Sequence, residues 1–330
     1  MSRWTLGVSL ALLLAAAMVL GVLFGSVPVS ASELWAVLGG GGDPTHRDII
    51  LQLRLPRVLL AGLVGGGLAV AGATLQALLR NPLAEPYILG MSGGASVGAV
   101  LVLSLGLAAA GSWVMPLAAF AGAVGAILIV FRVATSAGRG MDVRVLLLAG
   151  VVVAAFFTAC IAFILSISSA RTVQSAVLWI MGSLAAADWA DVVTAAIYTV
   201  PAGVMLMGLA RPLNLMAIGD ETAHYLGADV EGAKRVALGV AALITAAAVA
   251  VAGVIGFVGL VVPHAVRLAI GSDHRALLPL SFVGGAAFLT LADLVARVAL
   301  SPAEIPVGVI TAFVGVPLFL VLLRRSAGVR

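Results

Sequence analysis

Apolar runs of about twenty residues recur along the whole chain, each closed by a cluster of glycine, proline or charged residues. A helix of about 20 residues is what a hydrocarbon layer of about 30 Å demands, because each residue rises about 1.5 Å. Water is absent from that layer, so a segment of this length must satisfy its own backbone N–H and C=O groups by coiling into a helix. The composition points the same way: 62% of residues are hydrophobic and 10% charged, where a soluble domain carries about 25% charged residues. The expected fold is therefore an all-α polytopic membrane protein. Ten spans are predicted, near 4–26, 58–79, 88–107, 114–133, 144–167, 191–210, 236–254, 256–271, 277–297 and 305–323.

Orientation follows from the excess of Lys and Arg in short cytoplasmic loops. With the N-terminus inside, only Arg47, Arg54, Arg57, Arg171 and Arg297 of the 18 basic residues fall outside. Both termini are thus expected in the cytoplasm. Residues 1–31 also carry features of a signal peptide, with Arg3 ahead of an apolar run and Val29-Ser30-Ala31 as a small-residue site; the run is longer than the 7 to 15 residues usual for such a segment. The single cysteine, Cys160, forms no intramolecular disulfide and says little about redox compartment. The net charge of +4 is accounted for by loop arginines, and no lysine-rich tract suggests nucleic acid.

The longest polar breaks, near 27–57, 168–190 and 211–235, are each too short to bury a core of their own, so residues 1–330 read as one transmembrane domain. Ten spans divided into two inverted halves of five is a common transporter device. The second span carries Gly62, Gly66, Ala69 and Ala73 at four-residue spacing, with Gly65, Gly67 and Gly72 between, so neighbouring backbones can approach closely.

Charges, prolines and glycines are densest between Arg54 and Gly94. Arg54 and Arg57 flank Pro56 at one end of the second span, and Asn81-Pro82 and Glu85-Pro86 break the chain at the other. Pro82 must end or kink the helix, since it lacks an N–H and clashes with the preceding turn. Arg297 stands four residues after Asp293, which makes a helical ion pair the simplest partnership for both. The loop 211–235 is the most polar on the cytoplasmic side and reads as one or two short helices after Pro212. Asp220 and Glu221 stand where negative charge favours a helix N-terminus, and Gly227 ends the stretch. His264 and Gln76 are the other polar residues at membrane depth; the histidine is expected to be satisfied by backbone carbonyls. No second His or Cys stands at ligand spacing, so no bound metal is expected. The one lysine, Lys234, does not follow a GxxxxGK[ST] loop, so the chain holds no nucleotide and no catalytic residue is proposed.

The sequences RLPR (Arg54 to Arg57), NPLAEP (Asn81 to Pro86), GFVGLVVPH (Gly256 to His264) and AEIPVG (Ala303 to Gly308) occur in this order. With them, from roughly Arg47 to Arg325, the chain resembles the permease subunits of type II ATP-binding-cassette importers, which take up iron-siderophores, haem and cobalamin. The resemblance implies about ten helices per subunit, a homodimer with its path on the two-fold axis, two ATPase subunits that use ATP and Mg, and one extracytoplasmic substrate-binding protein. It implies that Arg54, Arg57 and Arg297 dock that binding protein, arginine being suited by its planar fork. It makes 211–235 the coupling loop, with Asp220, Glu221, His224, Leu226 and Gly227 against an ATPase. It places a gate at Asn81, Pro82 and Leu83 and at Met141, Asp142 and Val143. Asp142 departs from the small polar residue common there. The implied cargo is a bulky metal chelate, an iron-siderophore or haem ahead of cobalamin, carried across a bacterial cytoplasmic membrane. Two other classes stay in view: an ion-coupled transporter relying on Asp293, and a static channel, which has no use for the polar 211–235 loop.

Overall fold

The computed structural model describes residues 2–136 and 142–327. Among them the regular structure is entirely helical. In chain order the α-helices are α1 (Arg3–Leu23), α2 (Ala31–Leu38), α3 (Pro44–Asp48), α4 (Leu55–Leu78), α5 (Met91–Ser104), α6 (Val114–Ser136), α7 (Val143–Ser166), α8 (Ala170–Ile180), α9 (Trp189–Gly208), α10 (Ala210–Met216), α11 (Asp220–Tyr225), α12 (Val230–Ala252), α13 (Val258–Ile270), α14 (His274–Val298) and α15 (Val307–Ala327). A π turn, Ile49–Arg54, joins α3 to α4, and 3-10 turns lie at Pro86–Leu89 and Leu107–Ala110.

A helix stands at each of the ten expected positions, and seven are long and apolar enough to cross a membrane. α5, α13 and the apolar stretch Val307–Val321 of α15 are shorter. The 14 residues of α5 and 13 of α13 rise only about 20 Å at about 1.5 Å each, less than the hydrocarbon layer. Each is preceded by irregular chain, the turn at Pro86–Leu89 and the bend at 253–257, where the sequence reading had run the apolar span on as helix.

α4 is the centre of the bundle. Its apolar window is 89% buried, against 17% for α1 and 22% for α7, and it packs against α14, α12, α9, α13 and α1. Lipid is as apolar as these helices, so close backbone packing has to supply the attraction that the hydrophobic effect supplies in water. The glycines of α4 do this. A Cβ on Gly65 would lie 2.3 Å from the Gly285 carbonyl oxygen, and one on Gly72 1.9 Å from that of Gly259. Gly66 takes the ring of Phe282, and Gly67 takes Ile244 and Thr199. A second seam of the same kind joins α5 to α6, where Gly94 meets Gly122 and Gly98 meets Ala118.

Gly72→Ala should therefore lower the thermal stability of the detergent-solubilised protein by about 1–3 kcal/mol, the usual cost of overpacking. Gly125→Ala, with nothing within 4 Å of the added Cβ, should stay within about 0.5 kcal/mol of the parent. Equal unfolding midpoints for the two variants would contradict the close approach of α4 and α13.

Candidate functional site

The RLPR sequence begins at the last residue of a local widening of the helix, the π turn Ile49–Arg54. The Leu51 carbonyl, in the π turn, awaits a donor five residues on, and that residue is Pro56, which has none. The indole Nε1–H of Trp189, at the start of α9, donates to it at 2.9 Å. Arg54, at the end of the turn, folds back on α1. It donates through Nη1 to the Val22 and Leu23 carbonyls, both at 2.8 Å, and through Nη2 to the Val27 carbonyl. The last carbonyls of a helix have no donor of their own, and a guanidinium suits them in number and sign.

Arg57 looks the other way, into α14. Its Nε lies 3.0 Å from both carboxylate oxygens of Asp293, and its Nη2 donates to Oδ1 at 2.9 Å. Its outer end is held by Glu304, with Nη1 to Oε1 at 3.1 Å and Nη2 to Oε2 at 2.9 Å. Arg297 donates through Nη2 to the Gly21 carbonyl at 3.0 Å, and its Nε lies 3.2 Å from Asp293 Oδ2, close enough for an ion pair and not aligned for a hydrogen bond. The helical pair expected between Asp293 and Arg297 is thus present, but the hydrogen bonds to Asp293 come from Arg57 across the α4–α14 seam. Asp293 and Glu304 are shared between Arg57 and Arg297 while Arg54 is held by carbonyls, so the three arginines carry one positive charge more than the two carboxylates. Asp293 is 1% exposed and all three arginines are buried, whereas the Glu304 side chain is 40% exposed. The expected docking arginines are therefore brought together, and each is engaged by partners within the chain.

At the opposite end, α11 and the two residues after it carry the expected coupling residues. Asp220 opens it and is fixed by Arg80 from the end of α4 and by Lys234 of α12, whose Nζ lies 2.8 Å from Oδ2. Ala223 is the buried anchor, while Glu221, His224, Leu226 and Gly227 are exposed. Ile218 and Tyr225, which the sequence reading did not single out, are exposed beside them. Gly227 ends the element with φ 81°, a left-handed geometry that favours glycine. The neighbouring α10 is tied to the bundle by Asn214, which donates to Asp273 at 2.8 Å and accepts from the His274 N–H at 2.9 Å. That bond is the main cause of an Asp273 carboxyl held below the usual range; the backbone N–H of Arg275 and the nearby Arg3 add to it.

The expected gate residues serve as local caps. Asn81 Oδ1 accepts from the Leu83 N–H at 2.9 Å, two turn positions past the end of α4. Asp142 is the N-cap of α7, accepting from the Arg144 N–H at 2.7 Å, and Val143 is the first helical residue. Pro82 is exposed, and Met141 lies outside the described residues.

Deeper in the bundle, Gln76 joins α4 to α13. Its Nε2 donates to the Gly259 and Leu260 carbonyls at 3.2 Å each, and its Oε1 accepts from Arg267 at 2.8 Å. Gly259 needs that donor because the residue four places on is Pro263, which has no N–H. His264 corrects the sequence reading: both ring nitrogens are buried without a hydrogen-bond partner among the described residues, and the ring packs edge-on against Phe319 at 6.2 Å. Glu85 and Tyr87 were missed as well. Glu85 Oε1 accepts from the Phe257 N–H at 2.6 Å and the Tyr87 hydroxyl from the Ile255 N–H at 3.3 Å, so the end of the NPLAEP segment and the tyrosine after it hold the bend between α12 and α13. A glutamate in so apolar a run was the available signal.

An apolar cleft of about 570 Å³ opens beside that bend, lined by Ile180, Met181, Val254, Gly308, Ala312 and Phe313 among others. It brings α8 and α15 together at one surface.

The model of the FecCD transport family matches residues 13–325. The cobalamin import system permease protein BtuC of Halobacterium salinarum is 47% identical over 290 residues, 88% of this chain and 77% of that protein. The hemin transport system permease protein HmuU of Yersinia pestis is 42% identical, covering 92% and 90%. A solved structure described as the inward-facing conformation of a proposed metal-chelate type ABC transporter superposes with a TM-score of 0.88 at 31% identity, over 97% of this chain and 99% of that one.

Gln76→Met, which keeps the bulk and removes the amide, should cost about 1–3 kcal/mol because buried carbonyls and Arg267 lose their partner. Gln76→Glu should restore only the acceptor for Arg267. Thermal unfolding of both variants checks this, and a midpoint unchanged by Gln76→Met would show that the α13 carbonyls do not depend on it.

Proposed function

This chain belongs to the FecCD transport family, the permeases of type II ATP-binding-cassette importers, and from that premise we propose that two copies form a path for a bulky metal chelate. The observation that carries the proposal is α11, a short turn fixed to α4 and α12 through Asp220 and bare on its other side. A soluble environment would not leave Ile218, Tyr225 and Leu226 exposed together beside charged residues without a partner to cover them. That partner is an ATPase subunit, one for each copy. Its contacts are Glu221, His224, Leu226 and Gly227, with Asp220 passing motion to Arg80 and Lys234. ATP and Mg belong to the ATPase, and this chain is a transport subunit with no catalysis of its own.

At the outer end a soluble binding protein docks through carboxylates on Arg54, Arg57 and Arg297. The path runs between the two copies along α7 and α15, whose outward faces are largely apolar, and past the apolar cleft at the end of α8, so that a cargo is held weakly. Asn81, Pro82 and Leu83, with Met141, Asp142 and Val143, close it on the cytoplasmic side. The membrane is the cytoplasmic one. The named relatives favour a metal tetrapyrrole as cargo, haem or cobalamin, over an iron-siderophore, since hemin and cobalamin are both metal-bearing macrocycles.

Proteoliposomes holding this chain with its ATPase, supplied with binding protein and haem, cobalamin or a ferric siderophore, provide the test. Uptake that needs both ATP and binding protein is the expected result, and the absorption bands of the trapped contents name the cargo. Uptake driven by an ion gradient without ATP would overturn the proposal. Leu226→Asp should abolish co-purification of the ATPase with a folded permease; retention of the ATPase would remove α11 from the interface.

A further inference from the structure

Arg57 cannot be reached by a partner while Glu304 is in place. The guanidinium side chain is 10% exposed, its inner edge is taken by Asp293 and its outer end by both oxygens of Glu304. Arg54 and Arg297 offer no better access, since they are spent on carbonyls of α1 and on Asp293. Of the acidic partners in the cluster, Asp293 is sealed and Glu304 is the exposed one.

Glu304 also sits at a mechanical junction. Residues 298–304 are all exposed. Beyond them the Ile305 N–H donates to the Ala296 carbonyl and the Val307 N–H to the Gly182 carbonyl, at 3.0 and 3.1 Å. Gly308 then packs so tightly on the α8 end that a Cβ there would lie 2.2 Å from the Met181 carbonyl oxygen. Met181 and Gly308 both line the apolar cleft. The grip of Glu304 on Arg57 thus fastens an exposed segment, and through it the start of α15, to the outer end of α4.

We propose that Glu304 is an internal stand-in for a carboxylate of the binding protein, and that its displacement from Arg57 releases the 298–307 segment and loosens the outer wall of the cleft. This rests on the docking reading given above. The chemistry is an exchange of one bidentate carboxylate for another on the same guanidinium, so no charge is stranded at any stage, and the excess positive charge of the cluster attracts the incoming group. Docking and opening then become one event at one arginine.

The test uses the full permease with its ATPase in nanodiscs, and the importer's own soluble binding protein as the probe. Glu304→Gln removes the competing charge and should tighten binding about fivefold, the worth of a partly exposed ion pair. Glu304→Asp, which keeps a carboxylate, should bind close to the parent and guards against a folding defect in the first variant. A spin label at Ala303, introduced in a Cys160→Ala background, should become mobile when binding protein is added to the parent, and be mobile from the start in Glu304→Gln. If neutralising the docking carboxylates of the binding protein abolishes binding to the parent permease while Glu304→Gln leaves both affinity and label unchanged, the stand-in role is wrong and docking survives. If a binding protein so neutralised still binds, the docking reading itself falls.

Discussion

The Asp293 carboxylate, 1% exposed between Arg57 and Arg297, is the interaction on which the outer half of the bundle depends. A bare carboxylate at such burial would cost several kcal/mol, as would either arginine without it. The charges are therefore mutually obligatory, and their positions fix the positions of the helices that carry them. Arg57 sets α4 against α14, Arg297 reaches α1 through Gly21, and Arg54 closes the end of α1 a turn further on. A buried ion group of this kind gives little net stability compared with apolar packing, but it permits few alternative registers.

Register matters because lipid does not supply it. Helices as apolar as α1 and α7 slide and rotate in hydrocarbon with little change in solvation. Two devices stop them here. The glycine seams of α4 allow contact only where a small residue faces a backbone carbonyl, at Gly65 with Gly285 and Gly72 with Gly259. Side chains then take the carbonyls that prolines and helix ends leave free. Trp189 serves Leu51, Gln76 serves Gly259, and Arg54 serves the end of α1. The same logic governs the bend at 253–257, where Glu85 and Tyr87 supply the acceptors. The sites proposed to move lie at the edges of this rigid frame, on α11 and in the 298–307 segment.

Much of the frame was legible in the sequence, because spans and their breaks are written in local composition. A helix stands at each expected position, and the 211–235 loop resolves into α10, α11 and the start of α12, as its proline, glycines and acidic pair suggest. Pairings between distant residues were not legible. Arg54 to Val22, Arg57 to Asp293 and Trp189 to Leu51 have no periodicity to betray them. The helical spacing of Asp293 and Arg297 drew attention to the weaker of the two contacts at that carboxylate. His264 failed for a related reason: the rule that buried polar groups find partners does not say which ones will not.

A double-mutant cycle between Arg57 and Asp293 tests the central role of this carboxylate most directly. Arg57→Met and Asp293→Leu, made singly and together, are compared by equilibrium unfolding in detergent. Each single change should cost roughly 3–5 kcal/mol, since it strands a buried charge. The double change should cost far less than their sum, with a coupling of at least about 2 kcal/mol. Strictly additive costs would show that the two groups do not hold α4 and α14 together.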